Sequence, residues 1–237
     1  MNQVAPKGSQ HVPKIVAHRG ASTEYRENTL EAYRAAKDQG ADGVELDVRL
    51  TADDVLVIHH DAHLEDGRTI REVVSADLPL YVPTLAEALE VISPLWINIE
   101  LKNLPNDPDY EASAGLATAV AGLIAAFEAY DQVLVSSFDM DAILRIRDTD
   151  PQIPIGWLVW GQADPDQLIA RAQAHDLQAI HPRDVLVDSS FVARAHEAGL
   201  AVTVWVVDDP TRIKELAGMG VEAIITKTPS TAREALG

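Results

Sequence analysis

Short runs of β-branched and aliphatic residues alternate with amphipathic stretches along the whole chain. The runs predict strands at Lys14–His18, Gly43–Arg49, Trp96–Lys102, Val133–Ser137, Ile153–Val159, Gln178–His181, Ala201–Val207 and Ala223–Thr226. Between them the spacing predicts helices over Thr29–Gln39, Thr84–Ile92, Ser113–Ala129, Met140–Arg147, Pro165–His175, Ser189–Ala198 and Thr211–Ala217. In the longest of these, Leu116, Val120, Leu123, Ile124 and Phe127 recur at helical spacing. Gly40, Gly199 and Gly220 each follow a helical run, as C-terminal caps do.

Strands separated by helices, with no linker between them, imply a closed parallel (β/α)₈ barrel, the TIM barrel. The competing architecture is an open doubly wound sheet, which normally carries a Gly-rich phosphate loop after its first strand. Here that strand ends in His18-Arg19-Gly20, which favours the barrel. One segment departs from the alternation. Thr51-Ala52-Asp53-Asp54 reads as a turn and Val55–Ile58 as a returning strand, so an insertion over about 51–82 is expected after strand two. It is too short and polar for a second domain, and one domain over 1–237 is the expected organisation.

Composition narrows the function classes. The net charge is -18, which disfavours non-specific binding to nucleic acid or to an anionic membrane. Positive charge for a phosphate ester must then be supplied locally, by a metal ion or a few placed Arg and Lys side chains. There are no cysteines, which removes disulfides, thiol catalysis and Cys-based zinc sites. Met1 to Lys14 is polar, without the apolar region of a signal peptide, and no stretch is long and apolar enough to span a membrane. A cytoplasmic enzyme acting on a small molecule is the expectation.

The chemistry-bearing residues follow from strand alternation. Glu45 and Asp47 share one face of strand two, opposite Val44, Leu46 and Val48. In strand three Asn98, Glu100 and Lys102 share a face, opposite Ile97, Ile99 and Leu101. The apolar sets belong against the helices, so the polar sets face the barrel axis. Ionised groups are costly there unless paired or bound to a cation. Glu45, Asp47 and Glu100 therefore form either a hard divalent-metal site or a carboxylate network neutralised by Arg49 and Lys102.

His18 and Arg19 leave strand one where catalytic groups collect in barrels, and guanidinium suits phosphate. The His59-His60 pair offers a second imidazole. Alternation sends the two rings in opposite directions, so at most one faces the site. Two imidazoles flanking a phosphodiester provide a general base and a general acid. His181 ends strand six and is a candidate for the mouth. Trp205 is either core or an apolar wall for an alcohol group, and Lys227 ends strand eight, near where barrel loops often hold phosphate. His175 and His196 fit helix ends, His11 and His63 lie in polar segments, and Trp96, Trp157 and Trp160 read as core or rim.

Taken together, the ordered set His18-Arg19-Gly20, Glu27-Asn28-Thr29, Gly40-Ala41-Asp42, Glu45-Leu46-Asp47, Thr51, His60-Asp61, Pro83-Thr84-Leu85, Glu100-Leu101-Lys102 and Val204-Trp205 resembles the glycerophosphodiester phosphodiesterase family. The resemblance implies a divalent metal, Mg²⁺, Ca²⁺ or Mn²⁺, held by Glu45, Asp47 and Glu100. It implies His18 and His60 as the acid–base pair, selecting His60 over His59, with Arg19 and Lys102 gripping the phosphate. The implied products are glycerol 3-phosphate and an alcohol, formed by attack of a neighbouring substrate hydroxyl and then of water. Three positions depart from the family pattern: Arg26 stands for a common proline, Asp208 for an asparagine and Lys227 for the aspartate usual after Ile-Ile-Thr. The alternatives are a lysophospholipid-cleaving hydrolase on the same barrel, which needs a bulky apolar entrance, and a non-catalytic phosphoester-binding barrel.

Overall fold

A computed structural model describes residues 12–110, 114–161 and 164–237. Among these, nine strands form one sheet: β1 (Lys14–His18), β2 (Gly43–Leu50), β3 (Leu56–Ile58), β4 (Trp96–Leu101), β5 (Val133–Ser137), β6 (Ile155–Val159), β7 (Ala179–Pro182), β8 (Ala201–Val204) and β9 (Ala223–Thr226). All but β3 run parallel, and β1 pairs with both β9 and β2, which closes an eight-stranded TIM barrel. The helices are α1 (Leu30–Asp38), α2 (Leu85–Ile92), α3 (Gly115–Ala126), α4 (Met140–Thr149), α5 (Pro165–Ala174), α6 (Ser189–Glu197), α7 (Pro210–Met219) and α8 (Pro229–Leu236). The polar leader, His11 and the first residue of the helix expected from Ser113 lie outside the described residues, apart from positions 12–14.

Local chemistry sets the element boundaries. Thr29 caps α1 by accepting from the Ala32 amide, and Thr84 with Glu87 forms a reciprocal capping box on α2. Asp139, Asp164, Asp188 and Asp209 cap α4 to α7 in the same way. Gly220 ends α7 with φ of 88°, a left-handed conformation that favours a residue without Cβ. The expected strand from Ile153 begins only at Ile155, because Pro154 has no N–H to offer the ladder. The strand expected to reach Val207 stops at Val204.

Outward-facing strand residues such as Val44, Leu46, Ile97 and Ile99 are at most 1 % exposed and join the helices in one large apolar cluster. Within the barrel, Val16, Ala223 and Ile225 form a separate small cluster, with Trp96 and Trp205 packed against it. The charged inward positions of β2 and β4 therefore sit in a water-poor enclosure. That is what gives them chemical consequence.

The insertion is built on the long strand β2. β1 pairs with its first half, up to Glu45, and β3 pairs antiparallel with its last three residues. Val57, Leu64, Ile70, Val73 and Val82 bury one another there in a cluster of their own.

Candidate active site

Three buried carboxylates meet at the carboxyl ends of β2 and β4. The register places Asp47 beside Glu100, and one ligand oxygen from each of Glu45, Asp47 and Glu100 lies within 4.8 Å of the others. Two cations enter the same space. Lys102 Nζ lies 2.7 Å from Glu100 Oε1 and 3.2 Å from Asp47 Oδ1, and Arg19 Nε lies 3.0 Å from Asp47 Oδ2.

The charges are unevenly compensated. Burial pushes the Asp47 carboxyl up, but Lys102 and Arg19 outweigh it and hold the group below the usual carboxylate range. Glu45 is driven well above that range, by burial first and then by the negative charges of Asp47 and Glu100. Glu100 is also raised by burial, with Lys102 opposing. Glu45 Oε1 is buried and accepts no hydrogen bond among the described residues. A fully buried carboxylate with a bare oxygen beside two more carboxylates is the arrangement that a hard divalent cation neutralises, so the residues present fit such an ion.

The first loop is fixed onto these acids. Arg19 adopts φ of 56°, uncommon for a residue with Cβ. Its surroundings dictate it: the Arg19 amide donates to the Glu45 carbonyl, its carbonyl accepts from the Asn28 amide, and its guanidinium reaches Asp47 and Glu27. Gly20 follows with φ of 83°, and a Cβ there would come within 2.7 Å of Ala32. Asn28 Nδ2 donates to Asp47 Oδ2 at 2.7 Å, while Tyr33 Oη donates to Asn28 Oδ1 at 3.1 Å.

Two imidazoles stand over the acids. His18 Nε2 lies 3.8 Å from Glu45 Oε2. Burial and the adjacent Arg19 lower its pKa to about 3, so the ring is neutral near neutral pH. His60 is lowered by burial, while Asp47 acts in the opposite sense, and its Nδ1 lies 2.7 Å from Asp61 Oδ1. The charge of His60 adds a small part to the lowering of His18. Both His59 and His60 border the cavity, His59 with its Nδ1 2.8 Å from the Asp61 carbonyl and His60 with its Nδ1 on the Asp61 carboxylate.

These groups line a cavity of about 1070 Å³ whose opposite wall is aromatic. Phe138 stacks on Trp160 at 4.7 Å between ring centroids, and Trp205 meets both edge-on at 5.5 and 5.3 Å. Charge lines one side and flat apolar surface the other.

Comparison with known proteins then decides the family. The profile of the "Glycerophosphoryl diester phosphodiesterase family" matches residues 18–231. This chain belongs to that family. A glycerophosphodiester phosphodiesterase from Bacillus altitudinis is 30 % identical over 243 residues, covering 92 % of this chain and 96 % of the relative. Another, from Caldanaerobacter subterraneus subsp. tengcongensis, is 29 % identical and covers 92 % of this chain and 95 % of the relative. Among solved structures, an Oleispira antarctica phosphodiesterase in complex with the product sn-glycerol-3-phosphate aligns with a TM-score of 0.83 and 27 % identity, over 95 % of this chain and 97 % of that one. The Thermotoga maritima glycerophosphodiester phosphodiesterase aligns with a TM-score of 0.80 and 25 % identity, over 95 % and 99 %. The family is one of phosphoric diester hydrolases.

Within this phosphodiesterase family frame, the residues expected from the sequence fall into two groups. His18, Arg19, Glu45, Glu100, Lys102, His60 and Trp205 all line the cavity, and Asp47 lies fully buried against Arg19 and Lys102. His181 and Lys227 do not line it. His181 is 0 % exposed, with its ring over Gly156, where a Cβ would come within 2.7 Å of Nε2, so the glycine leaves room for it inside the barrel. Its carbonyl accepts from Trp205 Nε1 at 2.7 Å. Lys227 is exposed, and its amide donates to Asp208 Oδ1 at 2.7 Å, although its charge still reaches His18.

Arg49 also departs from the expectation. It does not neutralise the carboxylates but turns to Asp109, Asp107 and the His60 carbonyl. Phe138 and Trp160 were not legible as cavity residues, since each sits just past a strand end where no period gives direction. The departures from the family pattern have local roles. Arg26 covers the Tyr81 ring at 3.4 Å and pairs with Glu65, tying the first loop to the insertion. Asp208 accepts from Thr226 Oγ1 at 2.8 Å as well as from the Lys227 amide, bonds that an asparagine oxygen also accepts.

Among the described residues no helix is long and apolar enough to cross a membrane.

Proposed function

We propose that this chain hydrolyses glycerophosphodiesters to glycerol 3-phosphate and an alcohol, with a divalent cation held by Glu45, Asp47 and Glu100. The observation that carries the reading is the meeting of three buried carboxylates with His18, His60, Arg19 and Lys102 on one side of a single cavity. The bound cation, Mg²⁺, Ca²⁺ or Mn²⁺, would polarise the phosphoryl oxygens and lower the pKa of the attacking hydroxyl. Arg19 and Lys102 bind the remaining phosphate oxygens as cations.

His18 is the base. It is held neutral, so it can accept the proton of the substrate hydroxyl that attacks phosphorus. His60 is the acid. Burial lowers its pKa and the Asp61 carboxylate on its Nδ1 opposes that lowering, and the protonated fraction of the ring delivers a proton to the departing alkoxide as its P–O bond breaks. Water then opens the resulting cyclic phosphate with the two roles reversed. The Phe138, Trp160 and Trp205 rings supply an apolar wall for the carbon skeleton.

The insertion spends most of its large apolar side chains on its own cluster, leaving few for an acyl chain. This supports a small, water-soluble diester over a lysophospholipid. The test is turnover of glycerophosphocholine with product analysis. Chelator abolishes activity and added divalent metal restores it. His18→Ala and His60→Ala each reduce kcat by at least about 10²-fold with the fold intact. Near-normal turnover in both variants would remove the acid–base assignment.

A further inference from the structure

The guanidinium of Arg49 lies two residues beyond Asp47 on β2, and its side chain is 4 % exposed. Every one of its five N–H groups has a protein partner. Nη1 reaches both Asp109 oxygens at 2.6 Å, Nε and Nη2 reach the His60 carbonyl at 3.1 and 2.7 Å, and Nη2 also reaches Asp107 Oδ2 at 3.4 Å. No donor is left for a phosphate, although the residue borders the cavity. The fork instead clamps two segments that arrive from different parts of the chain. One carries His60 out of the insertion. The other follows β4 and Lys102, and its Leu104, Asp107 and Pro108 line the same cavity.

We propose that Arg49, braced by Asp109, is a positioning residue that sets the place of the His60 imidazole. The inference rests on the proposed role of His60 in proton transfer. His60 lies two residues beyond the end of β3, one past the last backbone bond to β2, which the His59 amide makes to the Asp47 carbonyl, and among the described residues its ring is held through Nδ1 by the neighbouring, exposed Asp61. The two hydrogen bonds on its carbonyl come from a group whose Nη1 is itself pinned between both oxygens of the buried Asp109 carboxylate. A buried Arg–carboxylate pair is weak evidence for stability by itself, since packed apolar side chains often serve as well. Fixed geometry is what it supplies, and a shift of about 1 Å in a reacting group costs on the order of 10²-fold in rate.

The experiment is a double-mutant cycle on glycerophosphocholine, using Arg49→Lys and Asp109→Asn, each alone and with His60→Ala. Lysine keeps the charge but cannot hold the carbonyl and the carboxylate as a fork. In the otherwise native protein, Arg49→Lys lowers kcat by about 10- to 100-fold and changes KM by less than about threefold. In the His60→Ala background the same substitution changes kcat by less than about threefold, because its effect passes through the missing ring. Asp109→Asn gives the same pattern with a smaller loss, and carries the test alone if Arg49→Lys does not fold. Equal losses in both backgrounds, or unchanged kcat in the folded single variants, overturn the inference. Near-normal turnover of His60→Ala would instead overturn the proposed role of His60 itself, so the two failures are distinguishable.

Discussion

The two sides of the barrel mouth are built on opposite terms. β1, β2 and β4 present His18, Arg19, Glu45, Asp47, Glu100 and Lys102, all buried or nearly so and compensating one another. The far side presents Phe138, Trp160 and Trp205, held by ring contacts, with Trp160 57 % exposed. Buried charge needs partners placed within a few tenths of an ångström, whereas flat apolar surface tolerates displacement. The comparison teaches that substitutions on the charged side should abolish turnover, and those on the aromatic side should shift affinity.

The largest expected effect lies on the charged side. Glu45→Gln keeps the shape but removes the charge that completes the triad, and kcat is expected to fall by at least about 10²-fold. Cation binding itself carries a sign that can be checked. Glu45 and Glu100 are raised above the ordinary carboxylate range, so below their folded pKa values they hold protons that a cation must displace. Affinity therefore rises with pH, and binding releases protons. Calorimetry in buffers of different ionisation enthalpy measures that release; affinity independent of pH would mean that the acids are not shared with the ion.

A smaller effect belongs to the aromatic side. Trp160→Ala removes the ring that stacks on Phe138, and KM for glycerophosphocholine is expected to rise by about 3- to 10-fold with kcat nearly unchanged. A loss confined to kcat would break the division between the two sides.

The same division explains what the sequence made legible. Strand period two separates Glu45 and Asp47 from Val44, Leu46 and Val48, and an inward charge against an outward aliphatic run is hard to misread. The barrel follows from the same periodicity. Phe138 and Trp160 come one residue after β5 and β6 end, in loops where side-chain direction depends on tertiary packing. Arg49 shares the inward face with Asp47, yet its partner Asp109 is 60 positions away, a contact no local pattern encodes. Helix α8 buries only Pro229 and Ala232, too short a stripe for periodicity to mark.

His181 gives the smallest effect and the sharpest check on the quieter side. Its ring is fully buried and neither nitrogen has a hydrogen-bond partner among the described residues, while burial lowers its pKa from 6.5 to about 3. Between those values the unfolded chain binds a proton that the folded chain refuses, so the group costs stability progressively as pH falls below 6.5. The slope is at most about 1.4 kcal/mol per pH unit. His181→Leu removes that penalty at similar volume, so relative to the native protein it gains about 2 kcal/mol between pH 7.5 and pH 5. Urea unfolding of both proteins at the two pH values measures the difference. His18 titrates with the same sign in both, as do the shared carboxylates, so their contributions cancel in the comparison. A gap that stays constant with pH would mean that the ring takes up a proton in the folded barrel, and the aromatic side would then hold a charge that the division of the mouth denies it.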